Sequence, residues 1–398
     1  MTDQAPPLSG LRVIEMTQAL AGPYAAMMLG DLGADVIKVE PHRGDQARAY
    51  RPPDVNGESA YFLSFNRNKR SITVNYAKPE GQEILRRLLI DADVFLTNNP
   101  RVESMRKYGY DYDTLRGANP GLIMAAISGY GHDGPRAGLP GYDVVAQGEA
   151  GTMSMTGQPD GGPVRFPSPM ADISGGLYTV IGVLAALFER AQSGQGQFID
   201  ISLLESQASW LGNLAAGYFA TGQPPKRIGN AHPQLTPYQP YKARDKHFNL
   251  GVGSQRLWGR FCTVMGLEDL QEDERFKTNE LRTINRDELN EILEPHFLER
   301  DADEWVALFQ EKGLPCGPIN TVPELLADEH FLARGGIVEL EHTTVGPVKS
   351  LGSPLHLLRS PVGYRLPPPG LGEHTDAVLD ELGYSAEEIA ALRADEVV

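Results

Sequence analysis

A chain of 398 residues is too long for one compact core, so two domains are expected. Hydrophobic residues make up 41 % and charged residues 22 %, the composition of a soluble globular protein. A net charge of −16 argues against general binding to nucleic acid or to an anionic membrane, since both need a basic surface, and the two cysteines imply no disulfide framework and fit a reducing cytoplasm. No Cys/His cluster has metal spacing, so no metal site is expected.

The first ten residues are polar and Pro-rich and do not read as a signal peptide. Residues 11–17 read as a strand. Ala21, Gly22 and Pro23 break it and start a helix, with Pro suited to the first helical position. That helix ends near Gly33, and residues 35–40 form the next strand. Strand, helix and strand in about 30 residues is a βαβ unit and predicts a parallel sheet. The dinucleotide fingerprint G-x-G-x-x-G is absent from the turn, so Glu40 at the strand end is weak evidence for a ribose site.

Residues 66–70 (NRNKR) place three positive charges within four residues. In so acidic a chain this is either a phosphate site or a solvated turn. Strands are expected at 71–75, 93–97 and 122–127, with a helix from Pro79 to Leu89. The last of these strands leads into SGYGHDGP (128–135) and GLPGYD (138–143), a density of Gly and Pro that suits a ligand-binding loop.

The stretch PSPMADISGG (167–176) centres on Asp172. Prolines stiffen the approach, two glycines follow, and an apolar run of about twelve residues, 177–188, comes next. That run is short for a membrane span, which needs about 20 residues, and reads as a buried core helix. Asp172 is then either a helix N-cap or a carboxylate held at a helix mouth, with glycines admitting a ligand. After a strand at 198–202, the pattern changes beyond about residue 215. A Pro-broken loop, 229–238, and a strand at 248–252 precede mostly amphipathic helix over 257–326, and the last 50 residues return to strand, loop and an acidic helix over 386–394. The expected division is 1–215, 216–335 and 336–398.

Taken together, these stretches resemble the class III CoA-transferases, the family of formyl-CoA transferase and carnitine CoA-transferase. The resemblance covers nearly the whole chain. It rests on 11–40 with AGP at 21–23, 61–71 with NRNKR, SGYGHDGP, GYD at 141–143, Ala171-Asp172, GLPCGP at 313–318 and GEHTD at 372–376. The resemblance implies that Asp172 is the catalytic nucleophile. It would attack an acyl-CoA thioester, pass through a mixed anhydride and an aspartyl-CoA thioester, and hand CoA to a second carboxylic acid. No metal or permanently bound cofactor is then required; CoA thioester is the substrate. The resemblance further implies that Tyr61 and Tyr142 line the CoA pocket beside Leu20 and Ala21, that Asp143 orders the site, that Arg106 contacts CoA, and that Lys69 or Arg70 faces its phosphates. Tyr61 and Arg106 also admit plain readings, as core packing and as a solvated helix residue.

Two departures bear on the substrate. Leu20 stands where formyl-CoA transferase has a glutamine, and HPQLTP (232–237) replaces its glycine-rich loop. Both argue against formyl or oxalyl groups. His232 and Gln234 become candidates for a second carboxylate or a hydroxyl, and the expected pair is succinyl-CoA with a dicarboxylic or hydroxy-dicarboxylic acid such as malate. The fold implied is α/β: a Rossmann-like large domain built from both chain ends, a smaller α+β middle domain, and two subunits interlocked as a cytoplasmic homodimer. Two alternatives compete. An α-methylacyl-CoA racemase shares this fold but uses a histidine where this chain has Tyr142. A non-catalytic CoA-binding protein would have no need of an intact Asp172.

Overall fold

The computed structural model describes residues 5–398. Its centre is a six-stranded sheet of Arg12–Met16 (β1), Asp35–Glu40 (β2), Lys69–Thr73 (β3), Val94–Thr97 (β4), Ile123–Ser128 (β5) and Phe198–Ser202 (β6). All neighbours pair in parallel, in the order β3-β2-β1-β4-β5-β6. The sequence explains the burial. β4 and β5 are buried at every position, as expected of apolar strands covered on both faces. The chain runs outward from β1 to β3, then returns to lay β4 on the other side of β1. That reversal is a topological switch point, where the loops after β1 and β4 part and leave a crevice at the carboxyl ends of the strands.

Two helices fix that crevice. Ala21–Asp31 (α1) follows β1, and the 24-residue Met170–Ser193 leads toward β6. Gly176 sits where the two helices meet: a Cβ there would lie 2.8 Å from the Ala21 carbonyl oxygen and 3.0 Å from the Tyr24 ring. Gly175 packs likewise on Leu203. These glycines therefore serve helix packing, not the close approach of a ligand. The long helix is also less buried than its composition predicts. Ala171, Thr179, Val180, Val183 and Ala186 face the core, whereas Leu177, Ile181, Leu184 and Phe188 form an exposed apolar stripe, with Phe188 at 72 %. The apolar segment is continuous in sequence, but the first unit covers only one of its sides.

The chain divides into two compact units. The first takes the chain up to Thr152, then Arg165–Ala216 and Glu329–Val398. Its C-terminal part closes the βαβ core: Val378, Leu379, Val397 and Val398 pack with Ile72, Val74 and Leu85. The second unit takes Met153–Val164 and Gly217–Asp328. Residues 153–164, placed in the large domain from sequence, thus belong to the smaller one. The Gly229 N–H donates to the Gly157 carbonyl, and the Arg227 guanidinium to the Ser154 carbonyl, which is why this segment follows the middle of the chain. The second unit has its own aromatic core of Phe248, Trp258, Phe261, Phe297, Trp305 and Phe309, on an antiparallel sheet of Tyr238–Lys242, His247–Gly251 and Cys316–Pro318.

Candidate active site

A cleft of about 250 Å³ opens at the switch point. It is lined by Gln18 to Ala21 after β1, Asn98 and Pro100 after β4, Ser128 and Gly129 after β5, and the 139–142 loop, with Asp172 in its wall. Backbone contact brings the 139–142 loop to β5. A Cβ on Gly129 would lie 2.7 Å from the Gly141 Cα, and one on Gly141 would lie 2.6 Å from the Gly129 Cα, so only glycine at both positions allows this approach.

Asp172 occupies the third position of the long helix and is not its cap. The N-cap is Pro169, which has no side-chain oxygen to offer. The missing cap comes from outside the helix. Asp143 Oδ1 accepts the Ala171 N–H at 2.9 Å, and its Oδ2 accepts the Gln147 side-chain amide at 2.8 Å. Gln147 in turn accepts the Phe166 N–H at 3.0 Å, tying the Pro-rich approach to the same point. Asp143 is buried, so it orders the site by satisfying helix donors. This leaves the Asp172 carboxylate without a salt-bridge or hydrogen-bond partner among the described residues. Burial, and then the negative charge of Asp143, push its pKa up to about 7.

The loop after β1 is held from below. Ala19 adopts φ +69°, a left-handed conformation, and its N–H donates to Asp45 Oδ1 at 3.0 Å. Asp45 belongs to an interior network. Lys38 Nζ lies 2.8 Å from Asp45 and 3.1 Å from Glu15, and Lys69 Nζ lies 2.9 Å from Glu15, all four side chains fully buried. Glu40 joins it by accepting the Asp45 N–H at 2.8 Å, and is itself held by Arg48 at 2.8 Å and by the Ser71 hydroxyl at 2.6 Å.

The structure brings some of the expected residues together. Leu20, Ala21 and Tyr142 line the cleft with Asp172, and Asp143 lies behind it. Tyr61 takes the packing reading and is not among the residues that line the cleft. Its ring packs edge-on against Tyr50 and Phe65, 5.2 and 5.7 Å away, while burial and the charge of Asp172 raise its hydroxyl pKa. The basic run 66–70 is a correction. Lys69 is fully buried, with its ammonium spent on Glu15, Asn66 and the Pro23 carbonyl, so it cannot face a phosphate. Arg70 is held by Asp35 at 2.6 Å and Glu381 at 2.5 Å, and Arg67 by Asp31 and the Leu351 carbonyl. These cations join the two ends of the chain. Arg106 keeps an exposed side chain, 4.0 Å from Asp111. His232 and Gln234 lie in the second unit. There His232 Nδ1 accepts the Gln234 N–H at 3.1 Å, the His232 ring stands edge-on to Tyr238, and its carbonyl accepts from Arg286.

Gln18, Gln46 and Asn98 also line the cleft and carry no motif that marks them. Their signal is positional, since Gln18 and Asn98 directly follow parallel strands flanking a switch point.

Residues 8–375 match the family model described as CoA-transferase family III. The chain belongs to that family. Among curated family members, a succinate–glutarate CoA-transferase of Agrobacterium fabrum is 41 % identical over 96 % of this chain and 97 % of its own. A human succinyl-CoA:glutarate CoA-transferase is 39 % identical over 98 % and 90 %. A crystal structure of a CAIB/BAIF family protein from Brucella suis superposes with a TM-score of 0.83 at 42 % identity, covering 95 % of this chain and all of that one. The family fold and the large parallel sheet of this chain therefore agree, and its class of chemistry is CoA transfer.

Proposed function

We propose that the protein moves CoA from succinyl-CoA to a short dicarboxylate of the glutarate type, with Asp172 as covalent carrier. The observation that carries this is the Asp172 carboxylate, unpaired and desolvated in a cleft at the switch point. The names of the two transferases above supply the acid pair.

The sequence of bonds follows from the chemistry of a carboxylate nucleophile. An Asp172 oxygen attacks the thioester carbonyl, the C–S bond breaks, and CoA leaves as thiolate from a succinyl–aspartyl anhydride. The thiolate then attacks the Asp172 Cγ, the anhydride C–O bond breaks, and succinate departs from an aspartyl-CoA thioester. The acceptor carboxylate attacks that thioester, and the same two steps run in reverse to give the new acyl-CoA and free Asp172. Removing water from the carboxylate raises its reactivity and protects both intermediates from hydrolysis. The Asp172 N–H lies in the first helical turn, has no partner among the described residues, and is the local donor suited to a developing oxyanion. Arg106, with its guanidinium exposed, is assigned to the CoA phosphates in place of Lys69.

Two further assignments belong to this reading. The exposed stripe Leu177, Ile181, Leu184 and Phe188 supports a homodimer in which a second, interlocked copy covers that face. His232 and Gln234 remain assigned to the acceptor's distal carboxylate. Intact mass after incubation with succinyl-CoA tests the core of the proposal. A CoA adduct is expected on the wild type and not on Asp172→Ala, discharged by glutarate into glutaryl-CoA, with transfer by Asp172→Ala down at least about 10³-fold. An adduct of equal yield on the variant would sink it.

A further inference from the structure

The side chain of His132 joins the two loops that frame the cleft after β4 and β5. Its Nδ1 lies 2.8 Å from Asp200 Oδ1 on β6, and its Nε2 lies 3.0 Å from the Asn99 carbonyl oxygen. The His132 backbone N–H also donates to Asp200 Oδ2 at 2.7 Å. Asn99 sits between the cleft-lining Asn98 and Pro100, and His132 lies a few residues beyond the cleft-lining Ser128 and Gly129. Ser128 itself accepts the Gly131 N–H at 2.9 Å. The imidazole is 5 % exposed, with the Phe198 ring edge-on at 5.8 Å.

Both partners of the ring are acceptors. A backbone carbonyl and an ionised carboxylate have no proton to give, so both hydrogen bonds form only if both ring nitrogens carry hydrogen. A neutral imidazole would turn a lone pair toward one of the two oxygens. Asp200 is the titratable group that faces the ring; Asn99 offers a carbonyl and Phe198 a ring edge. Burial works against the charge, but Asp200 and the Asn99 carbonyl outweigh it and hold the His132 pKa above its usual value. The same pairing holds Asp200 below the ordinary carboxylate range, against its own partial burial.

We propose that His132 is a positioning residue for CoA transfer: as an imidazolium donating from both ring nitrogens, it straps the loop after β4 to the loop after β5 and so sets the width of the cleft in which Asp172 works. The strap rests on the reading of that cleft as the CoA site. It carries a sign. The strap is complete at low pH and opens as pH rises through the His132 midpoint, whereas Asp172 must lose its proton to attack. The two groups thus bound a working range from opposite sides.

The test uses full-length protein with ¹³C-labelled histidine, the His132 resonance being assigned by its loss in His132→Asn. Asp200→Asn is the second variant, and it carries the test if His132→Asn does not fold. The His132 resonance is expected to titrate above the ordinary histidine range in the wild type, and about one pH unit lower in Asp200→Asn. Binding of CoA itself, measured by calorimetry between pH 6 and about 9, is expected to weaken about three- to tenfold across the same midpoint, the loss of roughly one charged hydrogen bond. That step should move with the NMR midpoint in Asp200→Asn and vanish in His132→Asn. A His132 neutral at pH 6, or a CoA-binding profile unmoved by either variant, overturns the strap. Because the readouts are a resonance and CoA binding, an Asp172 that forms no adduct would refute the transfer reading without altering them.

Discussion

Two groups of carboxylates lie close together in the first unit and meet opposite fates. Glu15, Asp45 and Glu40 are buried with cations. Lys38, Lys69 and Arg48 reach them at 2.8 to 3.1 Å, and although burial opposes it, Arg48 and Lys38 hold Glu40 down at about 2. Asp172 is desolvated too, but its neighbour is another carboxylate, and its pKa climbs to about 7. The same functional group, moved from a paired to an unpaired setting, changes from scaffold to the nucleophile proposed above. Burial alone decides neither role; the charge beside it does. The network also explains how a strained loop is tolerated at the cleft. Asp45, fixed by Lys38, holds the Ala19 N–H in a conformation that an alanine does not take by preference.

The contrast breaks most visibly where a paired charge loses its partner. Lys69→Met leaves Glu15 buried with one cation fewer, and is expected to cost about 3–5 kcal/mol of unfolding free energy by urea denaturation at pH 7. A cost within experimental error would mean the network is not a stability element. Asp172→Asn tests the other side, with the opposite sign. An acid whose folded pKa is raised loses stability as pH rises from its unfolded value near 4 through about 7. The asparagine variant should therefore match the wild type below pH 4 and exceed it by roughly 2–4 kcal/mol at pH 8, while transferring no CoA. An equal stability at pH 8 would place Asp172 in water, with an ordinary pKa. The smallest effect concerns the cation left exposed. Arg106→Ala is expected to leave the melting temperature in place and to raise KM for succinyl-CoA about three- to tenfold with kcat unchanged, as loss of a solvent-exposed phosphate contact would. A fall in kcat with KM unmoved would remove it from CoA binding.

The basic run 66–70 shows where sequence reading failed and why. Three cations within four residues look like an anion site when their partners are unknown. Those partners are Asp31, Asp35, Glu15 and Glu381, up to 311 residues away in the chain. The apolar run 177–188 failed in the other direction. Composition predicts burial, and only the packed helix shows that one face is covered and the other is not.

What the sequence determined by itself was periodic or local. The βαβ start follows from strand and helix patterns, the Gly/Pro-dense loops after the buried strand from turn chemistry, and the family from motifs in fixed order. What the tertiary structure decided was every pairing across the chain. It placed the Asp143 carboxylate on the helix that carries Asp172, the His132 ring between two acceptors, and Lys69 in an interior network. The reason is physical. Helix and strand propensities act over a few residues and are written in the local sequence. The protonation and reactivity of a side chain depend on burial and on the charges beside it, and those are set only when distant segments meet.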